Sequence, residues 1–172
     1  MILIPEIKTE RLLLRAPRED DFEKMKEYLI LDRAKFIGGP YDEISTWNEL
    51  LKNLGHWHLK GYGFWHIEHL DRICMVGSVG FLHHFDWPEP ELCWNVHHDF
   101  EGQGLAFEAA SAVRTYSANK LNLKTVVSYI DPVNTRSVRL AKRLGAKLED
   151  KVKLRGKYYD AYRHPISNNI EN

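Results

Sequence analysis

The stretch from Glu91 to Glu108 holds the residue types and spacing most able to do chemistry. It reads as a short strand, a turn containing Gly102 and Gly104, and a helix starting at Leu105 and Ala106. Glycines at such a turn allow positive φ and let the backbone approach a ligand with no Cβ in the way. The first N–H groups of the helix have no intrahelical partner and sit at the positive end of its dipole. Gly102, Gln103, Gly104, Leu105, Ala106 and Phe107 are therefore candidates for an anion cradle, with phosphate the natural guest. Leu105, Ala109, Ala112, Val113 and Tyr116 recur at helical spacing, so the helix is expected to run to about Lys120.

A Gly-x-Gly turn is also an ordinary strand-to-helix connection. Two phosphate-binding alternatives fail on spelling: there is no G-x-x-x-x-G-K-[ST], and no third glycine where a dinucleotide fingerprint needs one. The segment Glu101 to Ala106 instead resembles the pyrophosphate-binding motif of the GNAT acyltransferase superfamily, R/Q-x-x-G-x-G/A, in the form found in its ribosomal-protein-alanine N-acetyltransferase branch. Gly104 and Ala106 fill the last two defined positions, and Glu108-Ala109 follow. Glu101 departs from the pattern, since a carboxylate there repels a diphosphate unless it turns away. Thr9-Glu10-Arg11-Leu12-Leu13-Leu14-Arg15 resembles the branch's T-E-R-L-x-L-R opening. Asn134 to Gly145 resembles its asparagine-to-glycine helix segment, so the likeness covers nearly the whole chain.

That resemblance implies acetyl-CoA as co-substrate and direct acetyl transfer to a primary amine, on a small molecule or a protein N-terminus, within a ternary complex. Such transfer needs an acceptor for the amine proton, a donor for the oxyanion, and a proton or hydrogen bond for the departing thiolate. The likeness puts the pantetheine arm between two splayed strands, with a backbone N–H near Val96 facing the thioester oxygen. Strand alternation places Glu91 with Cys93 and Asn95 opposite Leu92, Trp94 and Val96. Glu91 resembles the glutamate of the family's E-φ-G-Y motif, although Cys93-Trp94 replaces G-Y here, and it is the candidate base. A solvated strand-end carboxylate is the plainer alternative.

Many relatives place a tyrosine acid seven residues beyond the asparagine; that position is Ala141. Ser137 is then the branch's alternative thiolate donor, weighed against a serine that merely decorates a first helical turn. Asn134 looks like the residue that hydrogen-bonds the pantetheine arm, a role compatible with capping the helix. Metal is not expected. The pairs His83-His84 and His97-His98 point to opposite strand faces, and no cysteine or carboxylate has closed-site spacing. His84 and His97 remain alternative bases near the cleft.

These residues need a scaffold. Strands are expected at about 11–16, 64–68, 74–84, 91–96, 125–130, 146–152 and 158–164, with helices from about 20 to 31, from Ser45, from Leu105 and from Thr135. The order βααβββαβαββ predicts an α/β (α+β) class, single-domain GNAT-like fold: a mixed, mostly antiparallel sheet of about seven strands with helices on both faces. The domain is expected over residues 1–167, with 168–172 as a loose tail.

Composition narrows the partners. Among 172 residues, 24 Lys and Arg balance 24 Asp and Glu, so no global field attracts nucleic acid or an anionic membrane. Two cysteines, Cys74 and Cys93, sit in apolar strand-like runs, which suits reduced packing residues and a cytoplasmic setting. An exposed strand edge offers a route to a homodimer. The competing functional reading is a non-catalytic acyl-CoA sensor that keeps the cradle without the chemistry; a nucleotide-binding α/β domain is a third.

Overall fold

The computed structural model describes residues 3–121, 123 and 125–165. The expected tail at 168–172 lies outside the described residues. Eight strands form one sheet: β1 (Ile7–Lys8), β2 (Leu12–Arg15), β3 (Phe64–His69), β4 (Cys74–Leu82), β5 (Glu91–Val96), β6 (Val127–Ile130), β7 (Lys147–Leu154) and β8 (Lys157–Arg163). Their spatial order is β1-β2-β3-β4-β5-β6-β8-β7, antiparallel everywhere except between β5 and β6. The strand beyond the expected seven is β1, whose two residues are too few to show alternation.

Four helices cover the sheet: α1 (Phe22–Leu29), α2 (Glu43–Lys60), α3 (Leu105–Tyr116) and α4 (Thr135–Arg143). A 3-10 segment, Asp32–Ile37, joins α1 to the loop before α2, and a π-type turn, Ser117–Leu121, prolongs α3. The second helix starts ahead of Ser45 because Asp42 caps it, accepting the Ser45 N–H at 2.7 Å.

The sheet's two faces bury different helices. Leu14, Trp65, Val79 and Leu92 pack with Leu105, Ala109, Ala110 and Val113 of α3, where the alanines let helix and sheet approach closely. The opposite face packs Met75 against Met25 and Leu29 of α1 and Leu50 of α2. A buried ion network ties α1 to that face. Arg15 donates to both oxygens of Asp21 at 2.7 and 2.8 Å, and His66 Nδ1 lies 2.7 Å from Asp21 Oδ2. Burial alone would raise the Asp21 pKa, but the Arg15 and His66 hydrogen bonds outweigh it and hold the carboxyl well below the usual range. No helix among the described residues is long and apolar enough to cross a membrane.

Candidate active site

The cradle forms where the glycines permit it. Gly102 and Gly104 lie in the left-handed region at φ 74° and 78°. Gly104 caps α3 with no side chain to offer, and the first helical bond runs from the Glu108 N–H to its carbonyl. The N–H groups of Leu105, Ala106 and Phe107 are thus left without an intrahelical acceptor. They line a groove of about 1000 Å³, together with Val96, Asn134 and Ser137. Leu105 contributes backbone only, its side chain being in the core, and Phe107 carries the Arg143 guanidinium 4.1 Å above its ring. Gln103 does not line the groove: its side chain donates to the Asp99 carbonyl at 3.2 Å.

Glu101 does not face the cradle as a bare carboxylate. Arg136 Nη1 donates to its Oε2 at 2.6 Å and Arg33 donates to its Oε1, so one acidic residue holds two guanidinium groups at the groove rim. Arg33 comes from the 3-10 segment and Arg136 from α4, neither of them adjacent to the glycine turn in sequence. No signal in the sequence marked either arginine.

The strands splay immediately beside this groove. β5 and β6 share a single registered pair, Glu91 with Val127. Beyond it, side chains replace the ladder: Ser128 Oγ donates to the Leu92 carbonyl at 2.6 Å, and the Tyr129 N–H donates to Glu91 Oε1 at 3.1 Å. Trp87 Nε1 donates to the other Glu91 oxygen at 3.0 Å. At the far end of β5 the His97 N–H donates to Val76 on β4 at 2.7 Å. Because N–H directions alternate along an extended strand, the Val96 N–H faces the opposite side, into the gap toward β6.

Glu91 is buried, at 9% exposure, and not a solvated strand end. Burial pushes its pKa up to about 7, and the hydrogen bonds from Trp87 and Tyr129 limit the rise. His84 and His97 go the other way. Burial, reinforced by Arg155 near His84 and Lys24 near His97, lowers both to about 4, so each is neutral and weakly basic at pH 7.

A second cavity of about 350 Å³ contains Glu91 and is walled by α1, the 32–41 segment, α2, β5, β6 and the β7–β8 hairpin. It meets the groove at seven shared residues, among them Tyr28, Phe36, Asn95, Asn134 and Ser137. Asn134 caps α4, its side chain accepting the Ser137 N–H at 3.3 Å, and this fixes both residues at the junction. Ala141, where relatives carry the tyrosine, is fully buried beside Ile130 and Tyr162 and lines neither cavity. Among the described residues no group of three or more His, Cys, Asp or Glu could hold a metal ion.

Comparison with known proteins bears on this geometry directly. The family described as "Acetyltransferase (GNAT) domain" matches residues 11–147. An acetyltransferase from Agrobacterium tumefaciens str. C58 superposes with a TM-score of 0.87 at 35% identity, covering 96% of both chains. An uncharacterized N-acetyltransferase, YnaD, of Bacillus subtilis (strain 168) is 28% identical over 145 residues, 83% of each chain. Spermidine N-acetyltransferase from Vibrio cholerae, solved with CoA and spermine, shares the fold at a TM-score of 0.71 and 20% identity over 90% of this chain and 94% of that one. The overall architecture is shared with these proteins, and this chain belongs to the GNAT family as an acetyl-CoA-dependent N-acetyltransferase.

Proposed function

We propose that the groove takes acetyl-CoA and the 350 Å³ cavity takes a primary amine, carried by a small molecule or a protein N-terminus, with direct transfer in a ternary complex. The observation that carries this reading is the junction of the two cavities at the β5–β6 gap, with a carboxyl of pKa about 7 inside the amine cavity. The chain fits the co-substrate's diphosphate, because the amides of 105–107 are unclaimed and positive φ at Gly104 keeps side chains away.

Acetyl-CoA supplies an activated acyl group. The chain's residues divide the remaining work. Glu91 accepts the proton of the incoming ammonium, its pKa being matched to neutral pH. Five residue steps of roughly 3.3 Å separate it from Val96, about 16 Å along the strand, so the proton travels through water in the cavity and not by direct contact. The Val96 N–H receives the negative charge that builds on the acyl oxygen. The Ser137 hydroxyl stabilises the departing sulfur, and Asn134 anchors the pantetheine amides.

Domain extent over 1–167 and a cytoplasmic setting form part of the same reading, the latter supported by two free thiols, Cys74 and Cys93. A homodimer formed by strand pairing at the β7 edge would meet Lys147, Lys151 and Lys153, which blunt that edge. The test is thiol release from acetyl-CoA with a panel of amines. Amine-dependent release supports transfer. Calorimetric CoA binding without release for any amine would assign the chain to the sensor class instead.

A further inference from the structure

The outer face of α2 differs from those of its neighbours. α1 turns Glu23, Lys24 and Glu27 to solvent, and α4 turns Arg136, Arg139 and Lys142. On α2 the line opposite the buried Thr46, Leu50, Asn53 and Trp57 is Ile44, Asn48, Leu51, Gly55 and Leu59, at three- and four-residue steps with no charged residue among them. Ile44, Leu51 and Leu59 are 74%, 49% and 82% exposed, and the exposed Leu54 flanks them. Lys52, at the margin of the line, is held by Glu49 at 2.5 Å. A surface helix ordinarily carries charge on this face, so an apolar stripe about 22 Å long marks an interaction surface. Gly55 adds an independent observation. Glycine is a poor choice for a helix interior, and among the described residues a Cβ there would meet no atom within 4 Å. Packing within this chain does not call for the glycine; close approach of another backbone does.

We propose that α2 is the seam of a homodimer, with a second copy of this chain lying antiparallel across it about a two-fold axis near Leu51. The stripe is its own complement in that setting. Positions equidistant from the axis meet, so Ile44 lies on Leu59 of the second copy, Asn48 on its Gly55, and Leu51 beside its own equivalent. The helix ends match as well: the acidic first turn, with Glu43 behind the capping Asp42, lies over the basic last turn with His58 and Lys60, and the two dipoles oppose. A parallel pair would stack like ends. Glu49 and Asn53 line the smaller cavity from elsewhere on the helix, so the seam stands apart from what the cavities bind. One helix pair is small beside a standard interface, so the association is reversible, with a dissociation constant on the order of micromolar.

The test is sedimentation equilibrium of the full chain from about 5 to about 500 µM, where the mass should rise from that of one chain toward that of two. Leu51→Lys sets two like charges together at the axis and should weaken association at least about tenfold with unchanged circular dichroism. Gly55→Leu supplies a better helix former and more apolar area; a close-packed seam predicts association weakened at least about threefold, whereas a merely sticky surface predicts it strengthened. Ile44→Cys and Leu59→Cys chains, mixed and oxidised, should cross-link to each other in preference to themselves, against a wild-type control that carries Cys74 and Cys93. A single-chain mass at every concentration, association that Leu51→Lys leaves intact, stronger association in Gly55→Leu, or preferential self-linking of Ile44→Cys each overturns the proposal.

Discussion

Arg11 and Glu108 are 97 residues apart and form a multi-pronged pair, with Arg11 Nε donating to Glu108 Oε2 at 2.8 Å and the Arg11 backbone N–H to Oε1 at 2.9 Å. Arg11 Nη1 continues to the Gln103 carbonyl at 2.9 Å, inside the cradle turn itself. Two of the three segments that carry the family likeness are therefore one physical unit: the residue just ahead of β2 braces the helix start proposed to receive the diphosphate. Burial of Glu108 would raise its pKa, but hydrogen bonds from Thr9 and Arg11 keep it lowered and charged. Glu108→Ala should weaken acetyl-CoA binding by about three- to tenfold without removing a ligand contact, and should cost about 1 kcal/mol of stability for a pair this exposed. Calorimetry and urea unfolding of the same variant check both numbers.

Glu101 sets a second electrostatic test. Its carboxylate occupies Arg33 and Arg136, which a bound diphosphate would otherwise draw upon. Glu101→Gln frees both guanidinium groups and removes a negative charge from the rim. Acetyl-CoA affinity should rise by about three- to tenfold at low ionic strength, and the gain should shrink as salt is raised to about 0.5 M. An unchanged affinity in the variant would mean that the diphosphate lies beyond reach of these arginines.

Much of this layout was legible in the chain. The glycine turn announced its own backbone conformation, and period-two alternation set Glu91 opposite Leu92, which packs with α3 while Glu91 lines the smaller cavity. What stayed hidden depends on distant partners. Glu91 becomes buried through Trp87, four positions away, and Tyr129, thirty-eight away, and no local pattern records that enclosure. Glu101 reads as a defect in the motif until arginines 68 and 35 residues away neutralise it. The position that seemed to lack an acid, Ala141, is a core site here, because helical spacing from Asn134 turns it toward Ile130.

The Glu91 assignment has kinetic and thermodynamic signatures. With a pKa of about 7, the deprotonated form grows as pH rises, so wild-type kcat/KM should climb through an apparent pKa near 7 and level above it. Glu91→Gln keeps an acceptor for the Tyr129 N–H but should lose about a hundredfold at pH 7 and show no such limb. Stability moves oppositely. A raised folded pKa contributes stability that is present below about 4.5 and lost as pH rises through about 7. Relative to Glu91→Gln, the wild type should therefore lose about 3 kcal/mol between pH 4 and pH 8 in denaturant titrations. A histidine base is disfavoured by values near 4, and an acidic limb near 4 in the rate profile would restore it.

Ser137 sits at the junction on the first turn of α4, held by its own N–H to Asn134. A hydroxyl that acts only as sulfur gains charge stabilises the transition state and not the bound ground state. Ser137→Ala should lower kcat by about tenfold while the acetyl-CoA Kd changes by less than about twofold. A raised KM with kcat intact would make it a binding group.

The central claim is that backbone amides at the start of α3 hold acetyl-CoA beside the splayed strands. Calorimetric titration of acetyl-CoA into wild type and Gly104→Val tests it most directly. Gly104 sits at φ 78°, where a β-branched residue is strained; an added Cβ would lie 3.7 Å from Arg11 Nη2, so the cost falls on the turn conformation that aims the amides. An acetyl-CoA Kd raised at least about tenfold in a variant with wild-type circular dichroism is the predicted result. An unchanged Kd in that folded variant would contradict the cradle and with it the placement of the co-substrate.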